Sequence, residues 1–312
     1  MLRIGVIGTG SISENNLTPA IAEVEGAELW SILSRDKDRA EAFAREQGAK
    51  SSEPGFSSLD RFLSDPKLDA VIVASPDGLH AEQTIAAAQA GKHVFVEKPM
   101  ATSIEEADAM IEACFSAGVR LGVAYHMRWH LGHRKLAKSI KEGEFGDIHH
   151  ARAQMTFKAF DASNWRASDD VGRWWSLAGV GTHCLDWVRW MLVPVCGEVC
   201  EVGSIISSGR LGSSRDETAS INLKFESGAT AQLLSSVLFA APSRGEIYGS
   251  DGHAFCEGTF GRHGGGVIET SNGEMNFLQV NPYVGEIADF VASVIENRDP
   301  EVSGIEGRRN TE

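Results

Sequence analysis

The chain has 312 residues, 42% hydrophobic and 23% charged, which suits a globular protein large enough for two cores. Its 43 acidic residues outweigh 29 basic ones, and a formal net charge of -14 disfavours nucleic acid and anionic membrane surfaces as partners. With no signal peptide and no apolar stretch long enough to cross a bilayer, a cytoplasmic location is expected. There, the scattered Cys114, Cys184, Cys196, Cys200 and Cys256 should be buried free thiols.

Residues 3–7 predict a short buried strand, followed by Gly8-Thr9-Gly10 and a helical stretch to about residue 25. A second strand is expected over 28–33 and a helix over 36–47, stopped by Gly48. Strands over 69–74, 93–97 and 119–124 alternate with helices over 79–90 and 103–117. That alternation predicts an α/β, doubly wound parallel sheet of the Rossmann kind, assigned to residues 1–122.

Beyond residue 124 the pattern changes. Helices are expected over 130–142 and 180–192, and extended runs over 148–157, 199–206, 217–225, 229–238, 244–249, 253–257 and 275–280. Consecutive short strands predict a large open, mostly antiparallel sheet in an α+β domain over 123–312. A further helix is expected over 283–297, after Pro282.

The first strand ends in Gly8-x-Gly10-x-x-Ser13, between a strand and a helix. One glycine makes the tight turn, the next lets backbone approach a pyrophosphate, and the helix N-terminus supplies N–H groups. Gly8, Thr9, Gly10, Ser11 and Ile12 are therefore candidate dinucleotide contacts. At the end of the second strand an NAD enzyme carries Asp or Glu, whereas here Ser34 is followed by Arg35. A hydroxyl and a guanidinium suit a 2′-phosphate, so NADP is expected, with NAD possible should Asp36 reach the ribose instead.

Ser75-Pro76-Asp77-x-x-His80, Ala90-Gly91-Lys92-His93-Val94, Glu97-Lys98-Pro99, Tyr125-x-x-Arg128, Asn164-Trp165-Arg166 and Gly181-x-His183-x-x-Asp186 follow in order. With Asn281-Pro282-Tyr283 and Asp289-Phe290 they run through nearly the whole chain, which resembles the Gfo/Idh/MocA oxidoreductases. The resemblance implies a second domain whose open sheet binds substrate and mediates homodimers or homotetramers. It implies that Lys98 lies beside nicotinamide and substrate, polarising a carbonyl or relaying a proton. It makes His183 the acid/base. Ser75, Pro76, His80, Glu97, Lys98 and Arg166 become cofactor contacts, and Lys98, Tyr125, Arg128, Trp165 and His183 substrate contacts.

The activity so implied is hydride transfer to or from a secondary alcohol or carbonyl of a sugar, cyclitol or related polyol. Other relatives are dinucleotide-binding ligand sensors without turnover, or NAD-dependent glycosidases. The family often has Asp four residues before the histidine, where this chain has Gly179. His183 then works with Lys98 alone, or Asp169 or Asp170 substitutes, or the chemistry has drifted. Asp77 stands where Asn is common. The family's last helix, past Gly304-Ile305-Glu306-Gly307, is expected to be very short.

Trp187 and Trp190, three apart on one helix, are expected in the core, while Trp165, Trp174 and Trp175 could wall a pocket. His126, His130 and His133 lack acidic partners nearby and are expected on a solvated surface. Cys196 and Cys200 have no second close pair, so no metal site is expected.

Overall fold

The computed structural model describes residues 1–168 and 173–312. It divides into two compact units, Met1–Tyr125 with Tyr283–Glu312, and His126–Pro282. Residues 283–312 group with the first unit, although they follow the second in the chain.

In the first unit the elements run β1 (Leu2–Ile7), α1 (Thr18–Glu23), β2 (Ala27–Leu33), α2 (Lys37–Glu46), β3 (Gly55–Phe56), α3 (Leu59–Leu63), β4 (Ala70–Val73), α4 (His80–Gln89), β5 (His93–Glu97), α5 (Ile104–Ala117) and β6 (Leu121–Ala124). The strands pair in parallel in the order β3-β2-β1-β4-β5-β6. Because helices cover both faces of such a sheet, its strands are continuous apolar runs. Ala70, Val71, Ile72 and Val73 are all fully buried. The order reverses between β1 and β4, and open α/β sheets bind ligands at that point. The helix expected after the glycine loop runs from Ser11 through a π-helical turn, Ser13–Leu17, into α1. The short β3 and α3 have no counterpart in the sequence reading.

The second unit contains α6 (Leu131–Lys141), β7 (Ile148–Thr156), α7 (Thr182–Cys196), β8 (Val199–Ser208), β9 (Asp216–Phe225), β10 (Thr230–Ser236), β11 (Arg244–Gly249), β12 (His253–Glu257), β13 (Val267–Thr270) and β14 (Gly273–Glu274). The sheet order is β14-β13-β12-β11-β7-β10-β9-β8, with β7 and β10 parallel and the other pairs antiparallel. Alternation along the strands sends Ala151, Ala153, Leu223 and Leu233 into a core with Trp187, Val188 and Met191 of α7. The other face carries Arg152, Gln154, Gln232 and Arg244 around a hollow of about 320 Å³. The strand expected over 275–280 is absent; that segment is irregular, and the hairpin β13–β14 precedes it. The short apolar run there, Met275 to Val280, lacks a strand partner, and Leu278 is exposed.

The return segment forms α8 (Pro282–Ile295) and α9 (Gly304–Thr311). Phe290 of α8 packs on Phe95 of β5, with ring centroids 5.1 Å apart. The segment before α9 is anchored where Val123 N–H donates to the Val302 carbonyl at 2.9 Å.

One turn before Phe290, Glu286 is 2% exposed, and neither carboxyl oxygen has a hydrogen-bond partner among the described residues. Burial, then the nearby charge of Glu97, hold its carboxyl well above the usual range. Between the unfolded carboxyl value and this raised folded value only the native state keeps the proton. Stability must therefore fall as pH rises through that window, by up to about 1.4 kcal/mol per pH unit. Glu286→Gln, a neutral isostere, is expected to gain on the wild type as pH rises from about 5, and to show no advantage near pH 4. Urea unfolding across that range checks this; a pH-independent difference would refute it.

Candidate active site

The dinucleotide cradle lies at the ends of β1, β2, β4 and β5, all in the first unit. Gly8 has φ +113, and a Cβ there would lie 2.5 Å from the Ala74 carbonyl oxygen at the end of β4. Glycine is required for that close crossing. A Cβ on Gly10 would meet nothing within 4 Å, so protein packing does not demand glycine there. Open space over backbone beside a helix N-terminus fits a pyrophosphate. Ser13, in the third position of the motif, is fully buried, which explains the small residue. The Ser11 hydroxyl accepts from Asn15 Nδ2 at 3.1 Å, and Ile12 packs against the core.

At the end of β2, the Ser34 and Thr9 hydroxyls are 3.5 Å apart. Asp36 does not extend along the loop. It caps α2, its carboxylate accepting from Arg39 N–H at 2.9 Å. Arg35 is exposed, and Arg39 donates to the Thr9 carbonyl at 2.9 Å. Arg39 thus joins the glycine loop, a placement sequence reasoning missed.

At the end of β4, Ser75 Oγ donates to Gln83 Oε1 at 2.6 Å, and Pro76 leads into a 3-10 turn, Asp77–Leu79. His80 follows, fully buried, with one ring nitrogen 2.9 Å from the Ser75 carbonyl and the other 2.9 Å from the Pro99 carbonyl. Buried in this way, His80 ties two loops together instead of lying open at the surface. At the end of β5, Glu97 accepts from the Lys98 N–H at 3.2 Å, and the Lys98–Pro99 peptide is cis. The ring of Tyr125, expected at the substrate, is 1% exposed and belongs to the core of the first unit with Met100, Met110 and Val123.

In the second unit His183 sits in the first turn of α7, after a π-helical turn over Leu177–Gly181. Asp216 of β9 holds that entrance, accepting from the N–H of Trp175, the hydroxyl of Ser176 and the N–H of Leu177, the last at 2.8 Å. No sequence signal announces a cap that comes from some 40 residues away. Among the described residues, a Cβ on Gly179 would have Phe157 within 4 Å, at 3.8 Å. Asp169 and Asp170 lie outside the described residues.

The turn His126–Trp129 docks on one face of α7. His126 meets the His183 ring nearly edge to face, with centroids 5.0 Å apart. Arg128 grips Asp186 through Nε and Nη2 at 2.7–3.1 Å, both side chains being under 5% exposed. The guanidinium of Arg128, expected at the substrate, is thus engaged within the protein.

The histidines expected at a solvated surface are instead buried. His126 is 4%, His130 1% and His133 0% exposed. Their apolar neighbours arrive from distant parts of the chain, His133 lying against Trp187 and Phe260. Burial, then the neighbouring His130, push His133 well below the ordinary imidazole value. Among the described residues no cluster of His, Cys, Asp and Glu is placed to hold a metal ion.

Trp187 is core and Trp190 packs partly buried against it. Trp175 is also fully buried, whereas Trp174 is 37% exposed. Trp165 supports the Arg166 guanidinium, whose carbon lies 4.1 Å from the ring centroid. Four cysteines are buried as expected, but Cys200, on edge strand β8, is exposed. Burial alone pushes the Cys114 thiol up to about 12.

Fold and cradle define a Rossmann dinucleotide-binding protein with a second, open-sheet unit. Residues 2–125 match the model of an oxidoreductase family with NAD-binding Rossmann fold, and residues 133–255 match the GFO/IDH/MocA C-terminal domain. The chain belongs to the Gfo/Idh/MocA oxidoreductase family. It is 28% identical over 313 residues to 1,5-anhydro-D-fructose reductase of Ensifer adhaerens, covering 98% of this chain and 92% of the relative. It is 29% identical over 314 residues to D-xylose 1-dehydrogenase (NADP(+)) 2 of Haloferax volcanii, covering 96% and 91%. Its structure resembles that of aldose-aldose oxidoreductase from Caulobacter crescentus complexed with glycerol, with TM-score 0.90, 24% identity, and 99% and 94% of the two chains covered. Among the described residues no helix is long and apolar enough to cross a membrane.

Proposed function

We propose that this oxidoreductase prefers NADP and interconverts a secondary alcohol and a carbonyl on a sugar, cyclitol or related polyol. The observation that carries the cofactor preference is the end of β2. One carboxylate oxygen of Asp36 caps α2, Ser34 lies 3.5 Å from Thr9 of the glycine loop, Arg39 donates to the Thr9 carbonyl, and Arg35, next to Ser34, is exposed. Guanidiniums and a hydroxyl suit a 2′-phosphate, and β2 ends at Ser34 where an NAD enzyme carries Asp or Glu. The names of the Ensifer and Haloferax relatives support the substrate class.

When bound, the nicotinamide supplies or accepts the hydride. The chain's own residues then have distinct tasks. Lys98 polarises the reacting oxygen with its ammonium. His183 gives or takes the proton, with its ring braced by His126. Arg166, on the face of Trp165, contacts the cofactor or substrate. Ser11, Ile12 and the glycine loop receive the pyrophosphate. The polar face of the open sheet, around Arg152 and Arg244, serves a homodimer or homotetramer. Glycine at 179, where the family often has Asp, favours one second reading, a ligand sensor that binds dinucleotide without turnover. A substrate-dependent change in cofactor absorbance across an aldose and polyol panel separates the two.

Paired fluorescence titrations with NADPH and NADH test the preference. Arg35→Ala is expected to weaken NADPH binding by about 10–100-fold, the loss of a charge-assisted hydrogen bond of about 1.5–3 kcal/mol. NADH binding should change little. Equal or tighter NADH binding by the wild type would overturn the assignment.

A further inference from the structure

His80 sits between two carbonyl oxygens. Its Nδ1 lies 2.9 Å from the Pro99 oxygen and its Nε2 lies 2.9 Å from the Ser75 oxygen. A peptide carbonyl can only accept a hydrogen bond, and a neutral imidazole has a single N–H. Whichever tautomer a neutral His80 adopted, one nitrogen lone pair would face a carbonyl lone pair at hydrogen-bonding distance. The ring is fully buried, so bulk water cannot relieve that contact. With two ring protons both contacts become charge-assisted N–H···O=C bonds.

We infer that His80 is an imidazolium in the folded protein, a buried cation that clamps the Ser75–Pro76 loop to the Lys98–Pro99 loop. Burying a cation is expensive without a compensating charge. Asp77, 2% exposed and one turn before His80, offers that charge. This gives a reason for a carboxylate where the family commonly has Asn. The other charged groups on the joined segments are Glu97 and Lys98 at the end of β5. Glu106, at the start of α5, is occupied by the N–H and hydroxyl of Thr102, at 2.9 and 2.8 Å.

Two consequences follow for the site. A fixed positive charge stands beneath the end of the sheet where an anionic dinucleotide binds. The placement of Lys98 also depends on a proton, because removing it would convert one of the two clamping bonds into a repulsion. His80 is therefore a positioning residue for the Lys98 loop. The inference does not depend on substrate identity or on which dinucleotide is preferred.

The test is nitrogen-15 NMR of the full chain, labelled at histidine, with and without NADPH. At about pH 8 an ordinary histidine, with pKa about 6.5, is neutral and has one protonated nitrogen. His80 is expected to show one-bond proton coupling at both ring nitrogens there. A single protonated nitrogen on His80 would overturn the inference. Assignment comes from the missing signal in His80→Gln, or from through-bond experiments on the wild type if that variant does not fold. Asp77→Asn is expected to lower the His80 titration midpoint by roughly one unit or more. An unmoved midpoint would remove Asp77 as the counter-charge. In the same variant, the alkaline fall of kcat/KM should move down with the NMR midpoint. An alkaline limb that stays put while the NMR midpoint moves would show that the proton does not govern the Lys98 loop.

Discussion

Lys98→Met is expected to lower kcat by about 10²–10⁴, the range typical of a group that polarises or protonates a reacting oxygen. Methionine keeps the length of the side chain and removes its charge. Lys98 follows Glu97 directly, at the end of a buried strand, and its backbone N–H is held by the Glu97 carboxylate. The strand and the contacts of His80 with the Pro99 and Ser75 carbonyls should keep the loop in place when the ammonium is lost. The loss should therefore appear mainly in kcat, with NADPH binding changed less than tenfold. Steady-state kinetics beside a fluorescence titration separate the two. Unchanged turnover would remove Lys98 from the chemistry.

The second large effect concerns stability. Asp186→Leu would remove the bidentate carboxylate partner of the buried Arg128 guanidinium, at an expected cost of about 3–5 kcal/mol. The pair is bidentate and almost fully buried, so solvent screening offers no relief. The double variant Arg128→Met with Asp186→Leu should recover most of that loss, because apolar replacements of both partners remove the desolvation penalty as well. Denaturant unfolding of the two singles and the double closes the cycle. If both single variants unfold like the wild type, Arg128 and Asp186 do not lock the His126–Trp129 turn onto α7. The same face of α7 carries His183, so the lock also bears on the proposed acid/base.

The two units differ in how much of each was legible. In the first, a local pattern marks every element but the short β3 and α3. A continuous apolar run is a buried parallel strand, and a Gly or an N-capping Asp or Ser marks a helix end. Asp36, Ser58 and Ser103 all cap helices as side-chain acceptors. In the second unit the strands β7 to β12 were visible from alternation, but 275–280 was misread. Its apolar residues have the composition of a strand, and only pairing in the sheet could show that no neighbour takes them. The histidines misled for the same reason. His126, His130 and His133 are polar by type, and their burial depends on Trp187, Phe260 and Phe277, all distant in sequence.

The site divides along the same line. The glycine loop, Ser34 with Arg35, and the Glu97-Lys98-Pro99 turn are contiguous motifs, so sequence alone located them. The commitment of Asp36 to a helix cap, the arrival of Arg39 at Thr9, and the support of the π-helical turn by Asp216 are contacts between segments. So are the brace of His126 on His183 and the buried carboxyl of Glu286. By itself the sequence determined the family, the strand–helix alternation of the cradle and the residues of its motifs, because each rests on neighbours a few positions apart. Only the tertiary structure decided which charges are buried, which side chains are already engaged, and that the chain's last 30 residues return to the Rossmann unit, for these depend on packing between segments far apart in the chain.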